Sequence, residues 1–266
     1  MISAKAGSMS RFINLEFGGE AEDQSHGETH GLARDEHYYL QEARIAFERG
    51  DFEKALRNYG KALEFTPQNA GAWTEQVRML IELGQLRDAN SWADKALETF
   101  PSEPELLAAK AVALARNGDT NGALAFSDAS AEEQAGSAYI WLARGDVLLA
   151  LKEGRADYCV EKSLQLAPGD WVILWLAARV RFYHEQFAAA LQLAQRGIAC
   201  DAGRVVLWLE QGRCQESLGL MEAAQDSFAR ALELDRDCHT ATEALVRLRS
   251  HGLADVARGW WRRMKQ

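Results

Sequence analysis

A period of about 34 residues runs through this chain and constrains its fold more than any single motif does. Ala55, Ala89, Ala123, Ala156, Ala190, Ala224 and Ala257 follow one another at steps of 34, 34, 33, 34, 34 and 33 residues. A second series, Ala62, Ala96, Ser130, Ser163, Gly197, Ala231 and Met264, repeats those steps seven residues further on. Glycine marks a third position at Gly50, Gly84, Gly118, Gly219 and Gly252, while Pro67, Pro101 and Pro168 fall near the ends of the units. Each unit predicts two helices. In the first, Leu40, Ala43 and Phe47 stand at helical spacing, Gly50-Asp51 breaks the run, and Phe52, Ala55, Tyr59 and Ala62 resume it. Small residues let two helices approach closely, and the aromatic fills the space beside them. One such hairpin cannot bury its apolar face alone, so successive hairpins must stack.

The residues at these positions resemble the tetratricopeptide repeat family. The first unit supplies Tyr39, Ala43, Ala55, Tyr59, Ala62 and Pro67. The second supplies Trp73, Ala89, Ala96 and Pro101, with Val77 where a small residue is usual. The fourth has Trp141, Gly145, Ala156, Ser163 and Pro168 and is one residue short in its inner turn. The sixth has Trp208, Gly212, Ala224, Phe228 and Ala231, with Arg236 replacing proline, and Leu107 and Leu174 open the weaker third and fifth. The resemblance implies an all-α, right-handed superhelical solenoid of antiparallel helix pairs. Six repeats are expected at 36–69, 70–103, 104–137, 138–170, 171–204 and 205–238. Trp73, Trp141 and Trp208 are expected in the core.

The ends depart from the period. Residues 1–35 read as a tail, disordered for the most part, rich in Gly, Glu, Ser and His from Gly18 to Asp35. Within it Arg11-Phe12-Ile13-Asn14-Leu15-Glu16-Phe17 is an apolar burst, which reads as a docking motif, as a segment that folds back onto the solenoid, or as a frayed terminus. Residues 239–266 read as a degenerate seventh pair that caps the stack. Ala241, Ala244, Leu245 and Leu248 give it one apolar face, and Leu253, Val256, Ala257, Trp260, Trp261 and Met264 a second. The polar face there, with Arg258, Arg262, Arg263 and Lys265, reads as the solvated side of a cap, the alternative being a basic amphipathic end that touches a membrane or a partner.

Composition narrows the function. A formal net charge of -9 argues against a nucleic-acid binder, whose phosphate contacts need a basic footprint. No apolar run approaches a membrane span, and the first ten residues hold no apolar signal core. Cys159, Cys200, Cys214 and Cys238 form no CxxC pair, which fits a reducing cytoplasm. No phosphate-binding glycine loop, nucleophile elbow or HExxH helix occurs, and His26, His30 and His37 lack further ligands nearby. The expectation is a non-catalytic scaffold with no metal and no cofactor.

The family's first helices face the concave side, and the resemblance therefore implies a groove lined by them. The ninth residue of each unit reads Arg44, Arg78, Val112, Asp146, Arg179 and Arg213, with Arg116 one turn beyond Val112. Leu40 and Phe47 accompany Arg44, and Trp175, Phe182 and Tyr183 surround Arg179. Arginine with aromatic neighbours is the composition of a binding hot spot, so the expected ligand is an acidic or amphipathic segment of another protein. The family's chaperone-peptide clamp needs lysine and asparagine where this chain has Leu40 and Arg44, so that partner is not implied. Self-assembly through the solenoid ends, or service as an accessory subunit of an enzyme, are the alternative readings.

Overall fold

The structure of the protein, a computed structural model, describes residues 34–133 and 136–249. Every regular element among them is a helix. Helices α1 (Glu36–Glu48) and α2 (Phe52–Phe65) form the first antiparallel pair. Then come α3 (Ala70–Glu82) with α4 (Leu86–Thr99), α5 (Pro104–Arg116) with α6 (Thr120–Glu133), and α7 (Ala138–Ala150) with α8 (Ala156–Leu166). Helices α9 (Trp171–Tyr183) and α10 (Phe187–Cys200) make the fifth pair, and α11 (Val205–Ser217) and α12 (Met221–Leu234) the sixth. A further helix, α13, covers 239–249. The burst at Arg11–Phe17, the histidines His26 and His30, and Gly252 through Met264 lie outside the described residues.

Local chemistry sets the helix starts. Asp35, Asp51, Asn69 and Asp170 each accept a hydrogen bond from a backbone N–H in the first turn that follows, leaving fewer orphan donors there. The inner turns share one geometry. Asp51, Gln85, Asp119, Glu153, Gln186 and Leu220 each donate their N–H to the carbonyl five residues back, at 2.8–2.9 Å. This is the six-to-one bond that closes a helix through a left-handed residue.

The small-residue series lies where pairs meet. Ala55, Ala89, Ala123, Ala156, Ala190 and Ala224 are all buried, as are Ala62, Ala96, Ser130, Ser163 and Ala231. The two serines keep the close approach and satisfy their hydroxyls. Ser130 Oγ donates to the Pro104 carbonyl at 2.8 Å, and Ser163 Oγ to the Ala138 carbonyl at 2.6 Å. First helices of successive pairs also pack on one another, α3 on α5, α5 on α7, α7 on α9 and α9 on α11, and so make a continuous inner wall. At the far end Ala241, Ala244 and Leu248 of α13 bury against Ala224, Phe228 and Ala231 of α12. Trp73, Trp141 and Trp208 sit at the edge of the core, half-buried, with the indole N–H of Trp73 and Trp208 donated to the carbonyls of Pro67 and Ala202 at 2.9 Å. An indole needs an acceptor when it leaves water, and the edge of the stack supplies one.

Candidate functional site

The inner wall carries a row of ion pairs. Arg78 donates to Glu75 Oε1 at 2.5 Å and lies over the Tyr139 ring, 4.0 Å from its centroid. Arg116 donates through Nε and Nη2 to Asp146 Oδ2 at 3.1 and 2.6 Å and lies over Tyr183 at 4.0 Å. His184 Nε2 meets the other oxygen of Asp146 at 2.8 Å. Arg179 Nε donates to Glu82 Oε2 at 2.6 Å and rests over Phe52 at 4.7 Å. Glu210 follows, with Oε2 at 3.6 Å from both Arg179 and Arg213, and Arg213 lies over Phe182 at 5.0 Å. Thus Asp146, which interrupts the arginine series in sequence, is the counter-charge of Arg116. Burial alone would raise the Asp146 carboxyl, but Arg116 and the bonds from Arg116 and His184 hold it below the usual carboxylate range. At Glu210 the balance falls the other way. Burial pushes that carboxyl up against the pull of Arg179 and Arg213.

Contacts also cross the turn of the solenoid. Arg204 Nη1 donates to Glu48 Oε2 at 2.8 Å, although 156 residues separate them, and its guanidinium lies over Trp171 at 4.4 Å. The Phe47 and Trp175 rings stand 5.3 Å apart, and Phe52 stacks on Trp175 at 5.9 Å with 13° between planes. The turn at Gly50 passes so close to α11 that an added Cβ would lie 3.2 Å from Val206 Cγ1. The first pair therefore packs against the fifth and sixth.

This closure relocates several residues expected on an open groove. Trp175 is 1% exposed and Phe47 8%, so both are core side chains. Aromatic surface that meets aromatic surface across the turn leaves water, and the solenoid buries here what an open groove would display. Arg78 and Arg179 are likewise held in ion pairs with the wall. Leu40 packs half-buried against the core. Arg44, with 77% of its side chain exposed, pairs with Glu48 at 3.1 Å and stands apart from the other arginines. Arg213, Phe182 and Tyr183 come together beside one cleft of about 430 Å³, where Arg213 keeps 43% of its side chain in solvent and Tyr183 is 48% exposed. On the other side of Glu210 opens a second cleft, of about 410 Å³, between the first pair, α11 and α13. Glu82, Glu210 and Arg204, and the pairing of His184 with Asp146, were not expected at this wall. Glu75, Glu82 and Glu210 occupy the same helix face as the arginines, three or four residues away along the helix or one pair over, and that spacing was a readable sign of paired charge.

Among the described residues no group of three or more His, Cys, Asp or Glu side chains could hold a metal ion. No helix among them is long and apolar enough to cross a membrane. All four cysteines are free thiols, and burial pushes Cys214 up to about 12, far from the thiolate that reactive chemistry requires.

Stacked antiparallel helix pairs with small residues at their contacts and an inner wall of first helices define an α-helical repeat solenoid. A tetratricopeptide repeat model matches residues 18–168 and a second matches residues 205–238, so the chain belongs to the tetratricopeptide repeat family. It is 26% identical over 226 residues to BBSome complex member BBS4 of Bos taurus, covering 85% of this chain and 43% of that protein. To BBSome complex member BBS4 of Mus musculus it is 26% identical over 218 residues, 82% of this chain and 42% of the relative. The chain thus spans less than half the length of these relatives. A tetratricopeptide repeat protein of solved structure from Parabacteroides merdae shares the fold with a TM-score of 0.52 at 17% identity, over 82% of this chain and 85% of that one.

Proposed function

We propose that the protein is a non-catalytic scaffold that holds an acidic or amphipathic segment of a partner protein in the cleft beside Arg213, Phe182 and Tyr183. One observation carries this reading. A guanidinium that touches its carboxylate only at 3.6 Å, beyond hydrogen-bond reach, stands in solvent beside an exposed tyrosine and a half-buried phenylalanine. A planar fork of donors over the Phe182 ring, in a cleft that Tyr183 also lines, matches a carboxylate flanked by apolar groups. Arg78, Arg116 and Arg179 serve the same site indirectly, since their ion pairs hold the wall rigid under it. The likeness to a BBSome complex member over most of the chain supports work inside an assembly. Asp146 and Glu210 have shifted acidities, but their arginine partners give them the character of structural pairs rather than of an acid and base about a reacting atom. The free cysteines fit a cytoplasmic setting.

The test is affinity capture from the native host with wild-type protein and with the Arg213→Glu/Tyr183→Ser variant, both checked for helicity by circular dichroism. A partner captured by the wild type should be lost by the folded variant, and its capture should weaken as salt rises, because exposed charge pairs are screened. An identical partner set from both proteins would place the binding surface elsewhere.

A further inference from the structure

The second cleft has features that the partner site does not use. Its floor includes Phe52 and Leu209, and Arg49, Arg213 and Arg247 stand around it, the last held by Glu216 through two hydrogen bonds at 2.9 and 2.7 Å. Glu210 forms part of its wall. That side chain is only 2% exposed, and its Oε1 has no hydrogen-bond partner among the described residues. That oxygen is sealed from solvent, so an occupant of the cleft meets the surrounding arginines and not Glu210 Oε1. Four arginines, Arg49, Arg179, Arg213 and Arg247, against Glu210 and Glu243 leave the lining of the cleft mainly basic. The arginines select carboxylates on the side chains of an occupant, and Phe52 and Leu209 offer apolar surface beside them.

The chain contains such a segment. Phe12-Ile13-Asn14-Leu15-Glu16-Phe17 is followed by Gly18-Gly19-Glu20-Ala21-Glu22-Asp23, which sets four large apolar residues, Phe12, Ile13, Leu15 and Phe17, beside four carboxylates with no Lys or Arg from 12 to 23. The described residues begin at Arg34, next to α1, and α1 is a helix of 13 residues, about 20 Å long, whose far end reaches the cleft at Arg49 and Gly50. Phe17 lies 17 positions before Arg34, enough extended chain to span about 55 Å. Tethering at that length raises the local concentration of the segment to the order of millimolar.

We propose that residues 12–23 dock in the cleft between the first helix pair, α11 and α13, with apolar side chains on Phe52 and Leu209 and carboxylates facing Arg49, Arg213 and Arg247. The inference builds on the partner-binding reading in one respect: Arg213 borders both clefts, so the docked segment competes with an acidic partner for it.

The experiment uses the full chain and a Phe12→Ser/Leu15→Ser/Phe17→Ser variant, in which no described residue is altered. Hydrogen exchange should quicken about tenfold or more in the variant at residues 49–53 and 205–215, and stay unchanged in α3 to α7. A synthetic peptide of residues 10–24 should bind the variant in a one-to-one ratio and bind the wild type at least about tenfold more weakly, because the tethered copy already fills the cleft. Arg49→Glu, a change at an exposed residue, added to the variant should weaken that peptide binding and its salt dependence. Equal exchange and equal peptide affinity in wild type and variant would overturn the proposal. So would a change confined to the stacked Tyr39 and Phe65 at the other end of α1. Concentration-dependent protection with a dimer in sedimentation would assign the segment to a second copy and overturn docking within one chain. If the segment variant behaves as wild type while Arg213→Glu/Tyr183→Ser still loses its partner, only this inference fails and the scaffold reading stands.

Discussion

Lys152 and Glu185 take left-handed backbone angles, with φ of 57° and 58°. They stand at the turn position that Gly50, Gly84, Gly118 and Gly219 hold elsewhere, with φ between 71° and 92°. The glycine series in the sequence skips two units, and those gaps are filled by residues made to adopt the same conformation. Its cost is about 1–2 kcal/mol for an L-residue with a Cβ, offset in part because glycine loses about 0.5–1 kcal/mol more backbone entropy on folding. Lys152→Gly and Glu185→Gly are each expected to raise stability by about 0.5–1 kcal/mol, read as a higher urea midpoint with an unchanged slope. An unchanged or lower midpoint would mean that the lysine and glutamate side chains supply contacts that outweigh the strain. The turns were legible from the glycines alone, but the two exceptions were not, because turn closure is enforced by the packed helices on either side and not by the residue in the turn.

At the scale of the helix pair, most of the architecture could be read directly. Period, spacing and residue size place a small side chain wherever two helices cross, and the buried alanines at 55, 89, 123, 156, 190 and 224 sit there. Gly212 in α11 shows how tight such a crossing becomes. A Cβ built on it would lie 2.7–2.9 Å from three ring atoms of Phe228 in α12. Alanine has the better helix propensity by roughly 1 kcal/mol, and at an open helix position it would win. Here Phe228 is fully buried and cannot swing aside without displacing α13. Gly212→Ala is therefore expected to destabilise the protein by about 1–2 kcal/mol net. Exchange protection should drop first in α11 to α13, since contacts between neighbouring pairs dominate a solenoid. A stabilised variant would show that this crossing relaxes freely.

Across the whole molecule, the chain departs from a purely one-dimensional stack. Glu82 meets Arg179 across 97 residues and Glu48 meets Arg204 across 156, while Phe47 and Phe52 close on Trp175. The arginine series and its aromatic neighbours were visible in the sequence, but their fate was not. A repeat specifies its contacts with the next repeat, and nothing in the period says which distant pair it meets after most of a superhelical turn. That is why Trp175 and Phe47, which have the composition of a binding face, become core, and why the exposed part of the predicted site contracts to Arg213, Phe182, Tyr183 and the isolated Arg44. Closure also couples the ends of the solenoid, so the first pair should not fray independently of the fifth. The most direct test is a double-mutant cycle on Phe47→Leu and Trp175→Leu, with stability measured by urea unfolding. A closed molecule predicts a coupling energy of about 0.5–1.5 kcal/mol between these two residues, 128 positions apart in the chain. Strictly additive effects would mean that the first pair stands away from the fifth in solution and that the inner wall is open.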